Sequence, residues 1–262
     1  MRPFLRWAGG KRWLARSKAF EINTEMRLVE PFVGGGALFF AHDWKSALLA
    51  DTNRSLVNAY HHMKESPSQL HSTLLQHFDN HSNDRYYEVR ARFSDESLQD
   101  AADFIYLNRS CFNGLFRVNL SGRFNVPLGS KVYEIRDFDE FLAWSARLQS
   151  STIELQDFEL TIDSSGEGDL VFADPPYTVN HNGNGFIEYN EKIFTWDDQI
   201  RLKSALIRAK SRGASFVVTN ADHKAIHDLY DGYNVITVSR GSEMAGSNLA
   251  RGRTSEAIIF SV

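Results

Sequence analysis

The chain has 262 residues, and its 29 Lys and Arg against 33 Asp and Glu leave a net charge of −4. That length holds one large domain, or a core with a sizeable insertion, and needs no covalent staple to bury a hydrophobic core. With 24% charged and 42% hydrophobic residues, and no apolar stretch near the roughly 20 residues of a membrane-spanning helix, it falls outside the disordered, fibrous and membrane classes.

Residues 1–18 carry Arg2, Arg6, Lys11, Arg12, Arg16 and Lys18 with no acid. They show no apolar signal region ahead of a cleavage site, so the expected compartment is the cytoplasm. Leu28-Val29-Glu30-Pro31-Phe32 reads as a short buried strand running into Val33-Gly34-Gly35-Gly36, with a helix from about Ala37. Ala47 to Asp51 reads as a second strand ending in an acid. Asn53 to about Leu142 is mostly helical, broken by a polar loop near Asp79 to Arg85 and a Gly/Asn/Pro-rich section from Asn113 to Ser130. Within it, residues 104–131 hold Arg109, Arg117, Arg123 and Lys131, again with no acid. Strand signals return at Thr152 to Leu155 and at Asp169 to Ala173. Thr195-Trp196-Asp197-Asp198 is a capping box opening a helix that runs to Arg212, with Gly213 as its stop. Ser215 to Thr219 is another strand. The last two, Asn234 to Val238 and Glu256 to Val262, flank a long polar loop.

Strands alternating with helices predict an open α/β sheet with helices on both faces. The helical interruption does not fit that sheet. It is expected to be a second domain, 53–142, inserted between the two parts of a discontinuous core domain, 1–52 and 143–262. Two acid-free basic stretches can bind a polyanion if they converge on one face. The aromatic and amide groups interleaved with them suit bases better than a plain solvated surface would.

Glycines directly after a first strand let a ligand approach the backbone and allow a tight turn into a helix. Asp51, ending the next strand, is placed to accept hydrogen bonds from ribose hydroxyls, which points to an adenosine-containing cofactor. A Gly-x-Gly-x-x-Gly fingerprint is not met, because Phe39 stands in the third glycine's place, so a nicotinamide-dependent dehydrogenase fits poorly. Asp174-Pro175-Pro176-Tyr177 follows the strand ending at Ala173, at the sheet edge where open α/β folds bind ligands. An acceptor carboxylate, a backbone carbonyl without a competing N–H and a flat ring suit the exocyclic amine of a nucleobase. The two acceptors draw the nitrogen lone pair out of conjugation while the ring holds the base.

Asp174-Pro175-Pro176-Tyr177 resembles the catalytic tetrapeptide of N6-adenine DNA methyltransferases. Phe4-Leu5-Arg6-Trp7-Ala8-Gly9-Gly10-Lys11 and Glu30-Pro31-Phe32-Val33-Gly34-Gly35-Gly36 are similar to the first two motifs of the Dam-type branch. Leu107-Asn108-Arg109, Phe112-Asn113-Gly114-Leu115-Phe116-Arg117 and Gly122-Arg123-Phe124-Asn125-Val126-Pro127 resemble its DNA-recognition segment. The resemblance runs from Phe4 to the final strands. It implies a Rossmann-like methyltransferase sheet with an inserted, mainly helical DNA-recognition domain. It further implies S-adenosylmethionine as methyl donor and a flipped adenine of double-stranded DNA as acceptor. On that resemblance Trp7, Ala8 and Lys11 close over the cofactor and target pocket. Glu30, Phe32, Gly34 and Gly36 line the cofactor, Asp51 takes its ribose, and Asp157 with Phe158, ending a strand, takes its adenine. Asp174, beside the cofactor, and the Pro175 carbonyl hold the target amine, Pro176 stiffens the corner, and Tyr177 stacks on the base.

Within the recognition segment, which includes Asn113, the forked donors of Arg117 suit guanine O6 and N7. Phe112 is a wedge beside the extruded base, and Leu115 and Pro127 suit a thymine methyl. By the resemblance Arg6 touches the first base pair, while Arg90, Arg109, Asn119 and Asn125 clamp phosphates. GATC is the expected site. Ser130 stands where relatives often carry arginine, and Phe112 where they often carry tyrosine. The loop from Arg240 to Thr254, with Arg240, Arg251 and Arg253 against Glu243, is expected to be a phosphate-contacting flap. A single cysteine, Cys111, excludes an internal disulfide and a cysteine-built zinc site, and it reads as a packing thiol. His61 and His62 point apart on a helix, so no metal site is expected. A monomer is expected, acting alone or beside a restriction enzyme. The alternative is a catalytically silent DNA-binding module of the same fold, against which the intact tetrapeptide argues.

Overall fold

Buried apolar runs build the sheet. β1 (Arg27–Glu30), β4 (Asp169–Ala173) and β5 (Ser215–Ala221) are almost wholly buried, as parallel strands covered on both faces must be. In this computed structural model, residues 1–7, 9–14, 22–94, 96–119, 123–178, 194–241 and 253–261 are described. With β2 (Ala47–Asp51), β3 (Ser151–Leu155), β6 (Asn234–Gly241) and β7 (Arg253–Phe260), the strands lie in the order β3-β2-β1-β4-β5-β7-β6. β1 runs parallel to β4, β4 to β5 and β2 to β3, whereas β7 is antiparallel to both β5 and β6. The expected α/β class is the class observed.

The chain divides into two compact units, Met1–Glu25 with Val33–Leu155, and Met26–Phe32 with Gln156–Val262. In the first, α1 (Ala37–Ala41) follows the glycine turn, and four helices then follow β2: α2 (Arg54–Glu65), α3 (Pro67–Asp79), α4 (Asn83–Arg92) and α5 (Leu98–Ser110). α6 (Phe138–Leu148) returns the chain to β3. Three of them each bury one stripe at helical spacing: Leu56, Tyr60 and Met63 on α2, Leu70, Leu74 and Phe78 on α3, Phe141, Trp144 and Leu148 on α6. Each such side chain taken from water is worth about 1.5–3 kcal/mol before entropy is counted. α5 is buried on nearly all sides, including Asp103. Burial works to raise the Asp103 pKa, but hydrogen bonds from His77, Arg92 and Gln99 hold it below the usual carboxylate range. Local polar residues set the helix starts. Asn53 accepts from the Leu56 amide, Ser82 from Arg85, and Ser97 and Asp100 form a reciprocal box. The Ser82 cap starts α4 at Asn83, so the polar loop expected near Asp79 to Arg85 is shorter than its composition suggests.

In the second unit, α7 (Phe158–Asp163), α8 (Trp196–Ser211) and α9 (Lys224–Leu229) accompany β1, β4, β5 and the β6–β7 hairpin. The expected box at Thr195 and Asp198 is present, and Gly213, at φ 94, ends α8 in the left-handed region. Arg201 and Arg208 of α8 bridge to Asp157, Glu159 and Asp163 on and before α7. Some bounds differ from expectation. β6 and β7 extend to Gly241 and Arg253, beyond their apolar residues, because cross-strand backbone pairing continues through the polar positions. Asp157 begins α7 as its cap instead of ending a strand, since its carboxylate accepts from the Glu159 amide. Ala8, Gly122 and most of the expected basic flap, residues 242–252, lie outside the described residues.

Candidate functional site

In the first unit the glycine turn is drawn tight by Gly36 N–H to Val33 O at 2.7 Å and tied to β2 by Val33 N–H to Ala50 O at 2.9 Å. Gly34 (φ 47) and Gly36 (φ 63) are left-handed, and Gly36 opens α1 without any side-chain cap. The Gly34 amide donates to Asp51 Oδ2 at 3.2 Å, and the Asn53 amide donates to Oδ1 at 3.0 Å. Burial pushes the Asp51 carboxyl up to about 6, against the pull of these backbone donors. Trp7 lies against the turn: a Cβ added at Gly34 would meet its ring at 2.8 Å. The same ring stacks on Phe116, with 6.1 Å between centroids. Lys11 is 3% exposed, and its ammonium donates to Gly9 O at 2.8 Å. Gly36→Ala is expected to lose about 1–2 kcal/mol of stability from the left-handed backbone alone. A Cβ there would also meet the Tyr60 hydroxyl at 2.6 Å. A shift in the urea midpoint reads this, and an unchanged midpoint would show that the turn tolerates a side chain.

The recognition segment belongs to the same unit. It is held as an irregular ribbon by isolated bridges, Cys111 to Leu128 and Val118 to Phe124. Asn108 pins it: the Arg6 amide donates to Oδ1 at 2.9 Å, while Nδ2 donates to Arg6 O at 2.7 Å and Gly114 O at 3.3 Å. Phe112 is 49% exposed on a single 3-10 turn, and Asn113 within that turn is left-handed at φ 57. Pro127 is exposed and Leu115 half-buried. Arg117 is exposed, and its Nε donates to Asn125 Oδ1 at 2.8 Å, so Asn125, expected on a phosphate, braces Arg117. Asn119 pairs with Arg123 through backbone and side chain. Arg90 reaches Val126 O at 3.3 Å and lies over the Tyr87 ring, and Arg6 lies over Tyr133. Arg109 donates to Tyr133 O at 2.5 Å and Phe4 O at 3.4 Å. Burial, then repulsion from Arg6, brings its pKa down to about 10, still well above neutrality. Burial pushes the Cys111 thiol up to about 12, so it stays protonated and unreactive near neutral pH.

In the second unit the Asp174-Pro175-Pro176-Tyr177 corner leaves the buried end of β4. The Thr219 hydroxyl of β5 donates to Asp174 Oδ1 at 2.6 Å. The Tyr177 hydroxyl donates to Oε2 of Glu256, a carboxylate of β7 only 1% exposed, at 3.2 Å. Gln199 of α8, fully buried, donates to Pro176 O at 3.5 Å and Thr178 Oγ1 at 3.3 Å, and accepts from Asn220 at 3.0 Å. The sequence assigns none of Thr219, Asn220, Gln199 and Glu256 to the site. Their available signal was a hydroxyl and an amide, Thr219 and Asn220, at the end of an otherwise apolar strand. Glu30 is buried at the end of β1, and Phe32 stacks on Phe158 at 5.3 Å, with Phe194 edge-on to Phe32 and tilted against Phe158. Arg201 lies 4.4 Å over the Phe158 ring and donates to Asp157 at 2.6 Å.

Among the described residues, no group of three or more His, Cys, Asp and Glu could hold a metal ion, and no helix is long and apolar enough to cross a membrane. A parallel sheet ending in a reversed hairpin, with glycines after β1 and an acidic corner after β4, is a Rossmann-like methyltransferase fold. Its particular kind follows from comparison. The family model for D12 class N6 adenine-specific DNA methyltransferase matches residues 7–244, and the chain belongs to that family. It is similar to the Type II methyltransferase M1.LlaDCHI of Lactococcus lactis subsp. cremoris, 32% identical over 99% of this chain and 95% of that protein. It is similar also to a DNA adenine methylase of Vibrio cholerae serotype O1, 33% identical over 97% of this chain and 94% of that protein. A third relative is the DNA N-6-adenine-methyltransferase of Escherichia phage P1, 37% identical over 87% of this chain and 31% of that protein. The chain is an adenine-specific DNA methyltransferase, and its reaction needs a methyl donor and DNA.

Proposed function

We propose that the protein transfers the methyl group of S-adenosylmethionine to the N6 amine of adenine within GATC of double-stranded DNA, after flipping that adenine out of the helix. The observation that carries this is the braced Asp174 corner, an oriented carboxylate beside a ring at the end of a central strand. When bound, the donor supplies an electrophilic methyl on a sulfonium. The glycine turn fits such a ligand, since its left-handed backbone brings the Gly34 amide onto Asp51, the carboxylate that takes the ribose hydroxyls in this reading. Trp7, Lys11, Glu30, Phe32, Asp157 and Phe158 complete the cofactor set in this reading. Asp174 and the Pro175 carbonyl accept the two amine hydrogens, which turns the nitrogen lone pair toward the methyl. Tyr177 stacks on the base.

Residues 53–142 act as the DNA-recognition part. Arg117 reads guanine, Phe112 fills the gap left by the flipped base, and Leu115 and Pro127 meet a thymine methyl. Arg6, Arg90, Arg109, Asn113, Asn119 and Asn125 orient the duplex, Asn125 through Arg117. Similarity to a Type II methyltransferase makes work beside a restriction enzyme part of the proposal, as are a monomeric state and a cytoplasmic location.

Incubation with unmethylated genomic DNA and S-adenosylmethionine, followed by single-molecule sequencing of modified bases, tests the reading. N6-methyladenine confined to GATC is the expected result. Methylation in another context would overturn the site, and DNA binding without methylation would leave a silent module. Arg117→Ala is expected to relax discrimination at one guanine by about 1–3 kcal/mol. The ratio of kcat/KM on cognate and single-mismatch duplexes measures it, and an unchanged ratio would remove Arg117 from base reading.

A further inference from the structure

We infer that Thr219 is a positioning residue for methyl transfer: its buried hydroxyl sets the plane of the Asp174 carboxylate. This rests on the reading of Asp174 as acceptor of the target amine and adds to it a residue that touches neither DNA nor donor.

Thr219 is fully buried on β5, preceded by Val217 and Val218 in the same strand. Valine would fill that place with equal volume and at least equal strand preference, so packing does not call for a hydroxyl. A hydroxyl there is tolerable only with a partner, and the partner is Asp174 Oδ1 at 2.6 Å. An ionised carboxylate is acceptor only, so the hydroxyl donates, and the distance is that of a charge-assisted bond. Its consequence is orientation. The terminal torsion of an aspartate is broad and roughly two-fold, unlike the staggered wells of an aliphatic chain. Losing the Thr219 bond would therefore loosen its acceptor directions, whereas methyl transfer needs the amine held within a fraction of an ångström of its reacting position. Thr219 comes from the next parallel strand, one residue beyond the Ala173–Val218 pair that ends the β4 register, and is itself paired with Ile258 of β7, so its hydroxyl is anchored in the sheet and not in a loop.

The test uses the full-length protein, unmethylated genomic DNA and S-adenosylmethionine, with T219V, T219S and D174A compared in steady-state and single-turnover methyl transfer. T219V is expected to lower kcat about 10- to 100-fold, the range for one lost hydrogen bond to a charged group, with KM for DNA and donor nearly unchanged. T219S is expected to recover most of the rate, which a purely space-filling role would not produce. D174A inactive with T219V at wild-type kcat overturns the inference and leaves the reading of Asp174 standing. D174A active removes that reading and the inference with it. If T219V does not fold, T219A against T219S decides: equal kcat overturns the inference, and recovery in T219S alone supports it.

Discussion

Asp174→Ala is expected to remove methyl transfer, lowering kcat by roughly 10²–10³-fold or more, while dissociation constants for DNA and donor stay near wild type. An adenine N6 lone pair is delocalised into the ring and is a poor nucleophile. A carboxylate accepting one amine hydrogen polarises the nitrogen, and the gain grows as positive charge develops on it during attack. An interaction that strengthens toward the transition state appears in kcat and not in binding. The side chain is held by Thr219 at 2.6 Å, so its removal deletes an oriented charge, not a mobile one. Asp174→Asn keeps one acceptor oxygen without the charge and falls between the two. Single-turnover transfer of a labelled methyl group to DNA gives the rate, and a wild-type rate in the alanine variant would exclude Asp174 from the chemistry.

Much of this layout is written locally in the chain. The strand-to-glycine turn is legible because a buried apolar run and glycines adjoin, and Gly34 and Gly36 do take the left-handed conformation. The Thr195 box is legible because both partners lie within four residues. What could not be read are pairings made at long range. Thr219 meets Asp174 across 45 residues and Glu256 meets Tyr177 across 79, and neither pair leaves a local pattern. Arg109 sits in a basic segment suggesting phosphate contact, yet its guanidinium reaches the backbone of Phe4, 105 residues away. Charge alone could not reveal that, since the partner is a carbonyl with no side-chain identity. Asn125 likewise gives no local sign of its bond to Arg117, which depends on how the ribbon folds back.

If Asp51 takes the donor's ribose as proposed, cofactor binding is expected to depend on pH. Its pKa is raised to about 6 because burial disfavours the charge more than the amides of Asn53, Gly34 and Thr52 favour it. In the unliganded protein the folded state therefore holds this proton more tightly than the unfolded chain does. The contribution is stabilising below the unfolded value and is lost as pH rises through about 6. Ribose hydroxyls reverse the balance, because they donate to the ionised form. Donor affinity is then expected to be constant above pH 7 and to weaken below about 6, approaching tenfold per unit where a full proton must be released. Asp51→Asn flattens this profile, since an amide does not titrate, and weakens binding at pH 7.5 by roughly 10- to 100-fold, the cost of losing a hydrogen bond to a charged group. Calorimetric titration of S-adenosylmethionine between pH 5 and 8 measures both effects. A wild-type affinity that stays level through pH 6 would show that the ribose does not use this carboxylate. A variant that binds as tightly as wild type at pH 7.5 would remove Asp51 from the cofactor site altogether.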